Sequence, residues 1–261
     1  MPEATTPVTP EFSWVQSQAG HALISSALSP LASHLFSTRD LGFRGGAVDP
    51  DYARLARAFG VEETHVVRVR QVHGKAILEI HPGVDAASVP DADAIVSTDP
   101  ARVIAVRVAD CVPVLMADRQ HRAVAAVHAG WRGTAAGIAA ATVARLRRLG
   151  VSPEDLVAVI GPSIGPCCYQ VDGAVKDAFA DAPGESAAWF AADGPGKWKL
   201  DLWMATVDQL TAAGVPRASV HVARLCTSDH PDRFYSYRRG DRETGRMVAA
   251  VRLGRPSSAP A

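Results

Sequence analysis

Val103-Ile104-Ala105-Val106-Arg107-Val108-Ala109-Asp110-Cys111-Val112-Pro113-Val114-Leu115-Met116-Ala117, followed by Val124-Ala125-Ala126-Val127-His128-Ala129-Gly130-Trp131-Arg132-Gly133, decides the fold class. Short runs rich in Val, Ile and Ala, bounded by Asp, Pro or Gly, read as β-strands over 103–108, 113–117 and 123–128. Arg107 and Asp110 break the apolar character long before the ~20 residues of a membrane span. Working outward, the same signature places strands at 65–70, 76–80, 94–97, 157–161, 220–224 and 247–253. Four helical patterns lie among them. Residues 51–59 put Tyr52, Leu55 and Phe59 on one face and stop at Gly60. Residues 134–149, with Thr134 as candidate N-cap, align Ile138, Thr142, Leu146 and Leu149 and stop at Gly150. Residues 172–181 pair Val175 with Phe179, and 201–213 start at Asp201, stack Trp203, Val207 and Leu210, and stop at Gly214. Strands and helices in this order show no regular βαβ alternation. The expected fold class is therefore mixed α/β (α+β), with mixed β-sheets and helices packed outside. One domain is expected over 11–253, with loose tails at 1–10 and 254–261.

The 261 residues carry 27 Lys+Arg against 27 Asp+Glu, with 48% hydrophobic and 21% charged residues. That composition supports a sizeable core and excludes general disorder. The even charge balance leaves no basic footprint for nucleic acid and nothing suited to a membrane surface, while a small charged ligand needs only a local cluster. No secretory signal pattern opens the chain, so a cytoplasmic protein is expected. The 4 cysteines, Cys111, Cys167, Cys168 and Cys226, are too few for a disulfide framework.

His73, Cys111 and His128 each fall at the end of a strand or in the turn after it, where side chains can converge at one rim of a sheet. A thiolate with two imidazoles is the S, N, N set of a catalytic zinc site with an open fourth position. Three readings remain open on the residues alone. The zinc site is one. A buried small cysteine with hydrogen-bonded histidines is the second. A cysteine hydrolase, with Cys111 as nucleophile and His128 as base, is the third.

Ala129-Gly130-Trp131-Arg132-Gly133-Thr134 offers glycines, a helix start and a guanidinium fork, an anion-binding combination that a simple glycine turn would also explain. Gly161-Pro162-Ser163-Ile164-Gly165-Pro166-Cys167-Cys168-Tyr169 is a second tight loop, whose vicinal cysteines suit packing, metal or redox chemistry. Tyr235-Ser236-Tyr237-Arg238-Arg239 alternates aromatic and cationic groups, either a pocket wall for a flat base or a solvated edge.

In chain order, Gln71-Val72-His73-Gly74, Asp91-Ala92-Asp93-Ala94, Ala109-Asp110-Cys111-Val112-Pro113-Val114, His128-Ala129-Gly130-Trp131-Arg132-Gly133, the Gly161–Tyr169 loop, and Tyr235–Arg239 with Thr244-Gly245-Arg246-Met247 resemble the bacterial polyphenol oxidase (laccase-domain) family. That family is also called peptidoglycan editing factor or multifunctional purine nucleoside phosphorylase. The resemblance runs from about 36 to 253. It implies an architecture related to the cysteine-type toxin deamidases and a zinc held by His73, Cys111 and His128. It also implies phosphorolysis of adenosine, inosine, guanosine and methylthioadenosine, together with deamination of adenosine. Purine nucleosides and phosphate are thus the implied partners. Copper polyphenol oxidation and cell-wall precursor editing are the other activities in the family's names. The chain departs from the pattern after Gly45-Gly46, where a Ser-Leu-Asn-Leu-Gly stretch is missing, and at Gln170, where the family often has Glu.

A four-copper oxidase needs roughly ten imidazoles, many in His-X-His pairs. This chain has 9 His, no two separated by a single residue, so one metal with three ligands is expected rather than a copper cluster. Deamination needs a carboxylate to move protons, for which Asp110 and Asp93 are the candidates. Arg39, Gln71, Arg132 and Arg238 are the candidate substrate and phosphate contacts.

Overall fold

A computed structural model describes residues 8–43, 50–84, 89–182, 185–240 and 245–254. The chain opens with strands β1 (Phe12–Ser17), β2 (Gly20–Ser25) and β3 (Ala32–Ser37) and helix α1 (Pro50–Ala58). Strands β4 (Val66–Val67), β5 (Ile77–Ile80), β6 (Ala94–Ser97), β7 (Val103–Val108), β8 (Val112–Asp118) and β9 (Val124–Ala129) follow, then helices α2 (Trp131–Ala135) and α3 (Ile138–Arg148). The last third holds β10 (Leu156–Ile160), β11 (Gln170–Asp172), α4 (Gly173–Asp177), β12 (Phe190–Ala192), β13 (Lys197–Leu200), α5 (Leu202–Ala212), β14 (Val220–Val222) and β15 (Met247–Leu253).

Two six-stranded mixed sheets form, in the orders β1-β2-β3-β15-β7-β4 and β14-β10-β8-β9-β6-β5, beside a small sheet β11-β13-β12. Alternation along each strand explains the layering. Ile104, Val106, Ala249 and Val251 of the first sheet meet Leu115, Ala117, Val124, Ala126, Val157 and Val159 of the second in a core between the sheets. The opposite face of the first sheet, through Val103, Ala105, Val248 and Ala250, packs on Tyr52 and Leu55 of α1. The opposite face of the second sheet, through Val114, Met116, Ala125 and Val127, packs on Ile138, Val143 and Leu146 of α3 and on Leu202, Ala205 and Leu210 of α5. Burial on both faces is why these strands read as continuous apolar runs. It confirms the mixed sheets with helices outside. Gly161, just past β10, lies tight against β3: a Cβ there would sit 2.2 Å from a Phe36 ring carbon. No helix among the described residues is long and apolar enough to cross a membrane.

Several element boundaries differ from the sequence reading. The strand expected at 65–70 is only Val66–Val67, preceded by a 3-10 turn over Glu63–His65, because the chain leaves the sheet early and carries Gln71–Gly74 over its end. The strand expected at 220–224 ends at Val222. The helix expected over 134–149 is two helices: α2 starts at Trp131, and Gly137, at φ 79, breaks the path before α3. Thr134 therefore sits inside α2 and is not an N-cap. The 172–181 helix ends at Asp177, with the Asp172 carboxylate accepting from Val175 N at 3.2 Å. Asp201 caps α5 as expected, accepting from Met204 N at 2.9 Å. Strands β1–β3 and β11–β13 were not foreseen, because their runs mix in Ser, Gln, His, Lys and Asp. Within the tail expected at 1–10, Thr9 Oγ1 donates to the Val222 carbonyl.

Candidate active site

One strand end and two connections deliver the cluster. His128 is the penultimate residue of β9, Cys111 lies in the turn from β7 to β8, and His73 lies between β4 and β5. Their donor atoms all lie within 4.8 Å of one another. The two imidazoles meet edge to face, with centroids 4.8 Å apart at 78°. Gly130 makes room: a Cβ there would sit 3.0 Å from Cys111 Sγ and 3.1 Å from His73 Cδ2.

Asp93 organises this convergence. It is fully buried and accepts backbone N–H groups of Val72 (3.3 Å), His73 (2.9 Å) and Gly74 (2.6 Å). Its Oδ1 also lies 2.8 Å from His128 Nδ1, and its carbonyl accepts His128 N–H at 2.7 Å. A carboxylate that accepts three N–H groups is ionised, so His128 Nδ1 donates to it and Nε2 is left for Cys111 or a metal. The same bonds hold His73 in the left-handed region at φ 61, a conformation costing about 1–3 kcal/mol for a non-glycine residue. Asp110, at φ 83, is anchored likewise: Thr227 Oγ1 and Arg238 N–H donate to its two carboxylate oxygens, each at 2.6 Å.

Electrostatics follow from this packing. Burial, the largest influence on Cys111, would push its thiol up, but the facing His128 and His73 outweigh it and bring the thiol down to about 6. Burial would lower His128, but the Cys111 charge and the Asp93 hydrogen bond outweigh it and raise the imidazole to about 9. Burial opposes ionisation of Asp93 too, and His128 with the Gly74 and His73 amides more than compensates, holding its carboxyl below the usual range.

The cluster forms the floor of a cavity of about 780 Å³. Gln71, Asp110, Arg132 and Arg238 line it with the three cluster residues, so seven of the nine residues expected at the site come together. Gln71 spends its amide on the Arg107 backbone, donating to the carbonyl at 2.7 Å and accepting the N–H at 2.8 Å. Arg132 stacks over Trp131 at 4.1 Å, and Arg238 over Tyr169 at 4.9 Å. Asp93 lies beneath the floor and does not line the cavity. Arg39 is elsewhere: its guanidinium donates to the Pro231 carbonyl and lies 5.0 Å from the Tyr235 ring centroid. Sequence reasoning missed Arg107 as a cavity residue, although a charge inside an apolar strand was a usable signal. Arg246 and Tyr169 lay in quoted motifs but were not singled out. Phe43 completes the aromatic wall. The departure at Gly45-Gly46 lies outside the described residues.

A thiol beside two histidines that one buried carboxylate ties together, on a two-sheet α+β framework, sets the class. The family model described as "Multi-copper polyphenol oxidoreductase laccase" matches residues 33–254, and the chain belongs to that family. It is 34% identical over 244 residues to "Purine nucleoside phosphorylase YfiH" of Escherichia coli, covering 92% of this chain and 96% of that protein. It is 41% identical over 166 residues to a "Purine nucleoside phosphorylase" of Bacteroides thetaiotaomicron, covering 62% of this chain and 60% of that protein. The fold is similar to the crystal structure of the hypothetical protein YfiH of Bacillus licheniformis, with TM-score 0.84 at 30% identity, over 95% of this chain and 100% of that one.

Proposed function

We propose that this chain is a zinc-dependent purine nucleoside enzyme. It would phosphorolyse adenosine, inosine, guanosine and methylthioadenosine and hydrolytically deaminate adenosine. One observation carries the reading: His73, Cys111 and His128 converge within 4.8 Å at the floor of a cavity walled by Arg107, Arg132, Arg238 and Arg246. The donor set fits zinc, since tetrahedral ligands lie ~3.5 Å apart and one histidine is oriented by a carboxylate. Zinc bound there supplies a Lewis-acidic centre that polarises water or a substrate oxygen. The residues do the rest. Arginines neutralise and orient phosphate, and Tyr169, Tyr237 and Phe43 offer flat faces to the base. In phosphorolysis a phosphate oxygen bonds to C1′ as the C1′–N9 bond breaks, giving ribose 1-phosphate and the free purine. In deamination a water oxygen bonds to C6 as the C6–amino bond breaks, and Asp110, the one carboxylate among the described cavity-lining residues, passes a proton of that water to the amino nitrogen, which leaves as ammonia. Asp93 positions the ligands.

A second reading has its own observation. Cys111, His128 and Asp93 form a nucleophile–base–carboxylate series, with the thiol held at about 6. That series suits a cysteine hydrolase, including one acting on cell-wall precursors. Copper polyphenol oxidation gains less support, because neither metal-capable cluster among the described residues has the imidazole-rich make-up of a multicopper site. The deciding experiment incubates the protein with adenosine, with and without phosphate, before and after chelation. Chelator-sensitive adenine with phosphate and inosine without it are expected. Absence of both products, or full activity after chelation, overturns the zinc reading.

A further inference from the structure

Away from the catalytic cluster, Cys167, Cys168, Cys226 and Asp229 also place one donor atom each within 4.8 Å of the others. Two loops build this group. The Gly161–Tyr169 loop supplies the vicinal pair, and the turn after β14 supplies Cys226 and Asp229. The loops are tied by Ser163 N–H donating to the Leu225 carbonyl (3.1 Å) and Thr227 N–H donating to the Ser163 carbonyl (3.1 Å). Cys226-Thr227-Ser228-Asp229 has the two-residue spacing of a metal knuckle, closed by Asp229 N–H on the Cys226 carbonyl at 3.2 Å.

Core packing accounts for the burial of Cys226 and touches Cys168, but not for the position of Cys167 or for the way the vicinal thiols are aimed. Cys167 is exposed and Cys168 half-buried, yet both point at one carboxylate: Cys167 Sγ to Asp229 Oδ2 at 3.1 Å, Cys168 Sγ to Asp229 Oδ1 at 2.9 Å. Outer contacts suit a thiolate-rich centre. Gly165 N–H donates to Cys226 Sγ at 3.3 Å, and the Arg239 guanidinium donates to the Thr227 (3.0 Å) and Ser228 (3.3 Å) carbonyls, bringing positive charge to the knuckle. The exposed side leaves an entry path.

We infer that Cys167, Cys168, Cys226 and Asp229 form a second, separate site for a thiophilic divalent cation such as zinc, which clamps the Gly161–Tyr169 loop to the turn after β14. As three metal–sulfur bonds form, three thiol protons leave to solvent, and Asp229 exchanges its two S–H donors for the cation. The clamp bears on the cavity wall, because Ile164 and Tyr169 line the cavity and Thr227 anchors Asp110. The inference does not depend on the nucleoside reading.

The test uses the full chain, stripped of metal under reducing conditions and titrated with Co2+, whose thiolate charge-transfer absorption reports sulfur ligation. Wild type should bind two equivalents. Cys111→Ser should lose one and keep a strong thiolate band. Cys167→Ser, at an exposed position, should keep the equivalent at the catalytic cluster and lose the other, together with most of the band. Cys226→Ser should do the same, and circular dichroism checks that this buried variant is folded. No thiolate band in folded Cys111→Ser would overturn the inference. So would a disulfide among Cys167, Cys168 and Cys226 found by peptide mapping of wild type as purified.

Discussion

Asp93 Oδ1 lies 2.8 Å from His128 Nδ1, and the same carboxylate accepts the amides of His73 and Gly74. One buried acid thus positions two histidines, one near the end of β9 and one in the connection between β4 and β5. Asp93→Asn puts an NH2 where only acceptors fit. Metal affinity should fall about 10–100-fold. Asp93→Ala should also cost roughly 1–3 kcal/mol, since the buried His128 Nδ1–H and three part-buried amides lose their partner. Metal analysis and urea unfolding measure both, and wild-type values for either variant would refute Asp93 as the positioning residue.

The three donors of the cluster should act as a unit. His73→Ala, Cys111→Ala and His128→Ala should each remove the metal equivalent that the other two also remove. Full occupancy in Cys111→Ala would sink the assignment.

In metal-free protein Cys111 should be unusually reactive. Its thiol sits at about 6 against an ordinary 9.0, so the thiolate appears as pH rises through about 6. Alkylation followed by peptide mapping should show that midpoint after chelation, and slow labelling when metal is present. Fast labelling with metal bound, together with activity indifferent to chelation, would favour the cysteine hydrolase.

Phosphate binding should separate the arginines. Arg107→Lys and Arg132→Lys should weaken phosphorolysis more than deamination, by about ten- to a hundredfold for a desolvated bidentate contact. Arg39→Lys should change phosphorolysis little, because that guanidinium serves Pro231 and Tyr235. Equal loss of both activities would mean that the cavity arginines shape the pocket instead.

His34 should make the fold acid-sensitive. It is buried, its Nε2 accepts Ser25 N–H at 2.8 Å, and burial lowers it from 6.5 to about 4. The neutral imidazole belongs to the folded state. Its contribution is complete above about 6.5 and is lost as pH falls towards 4, by up to about 3 kcal/mol. His34→Gln should flatten the stability–pH curve in that window. An unchanged slope would rule His34 out as its source.

Much of this protein was legible in the sequence. Apolar runs such as Val103–Val108 and Val124–Ala129 mark strands buried on both faces, and the mixed spacing of strands and helices excludes a regular βαβ fold. Cys111 and His128 stand at strand ends because the turns there are short, so their place at a sheet rim is a local property. Strands β1–β3 were not legible: β1 is an edge strand with most of its residues part-exposed, and β2 and β3, though mostly buried, interleave Gly, His and Ser with their apolar residues and so lack a continuous apolar run. Tertiary structure alone decided the rest. His73 and Cys111 are 38 positions apart, and only the pairing of β8 with β9 and the Asp93 bridge bring them together with His128. The same long-range packing sends Arg39 to Pro231 and aims Arg107 into the cavity, since a side chain's destination depends on which strand lies opposite, and periodicity along one strand carries no information about that.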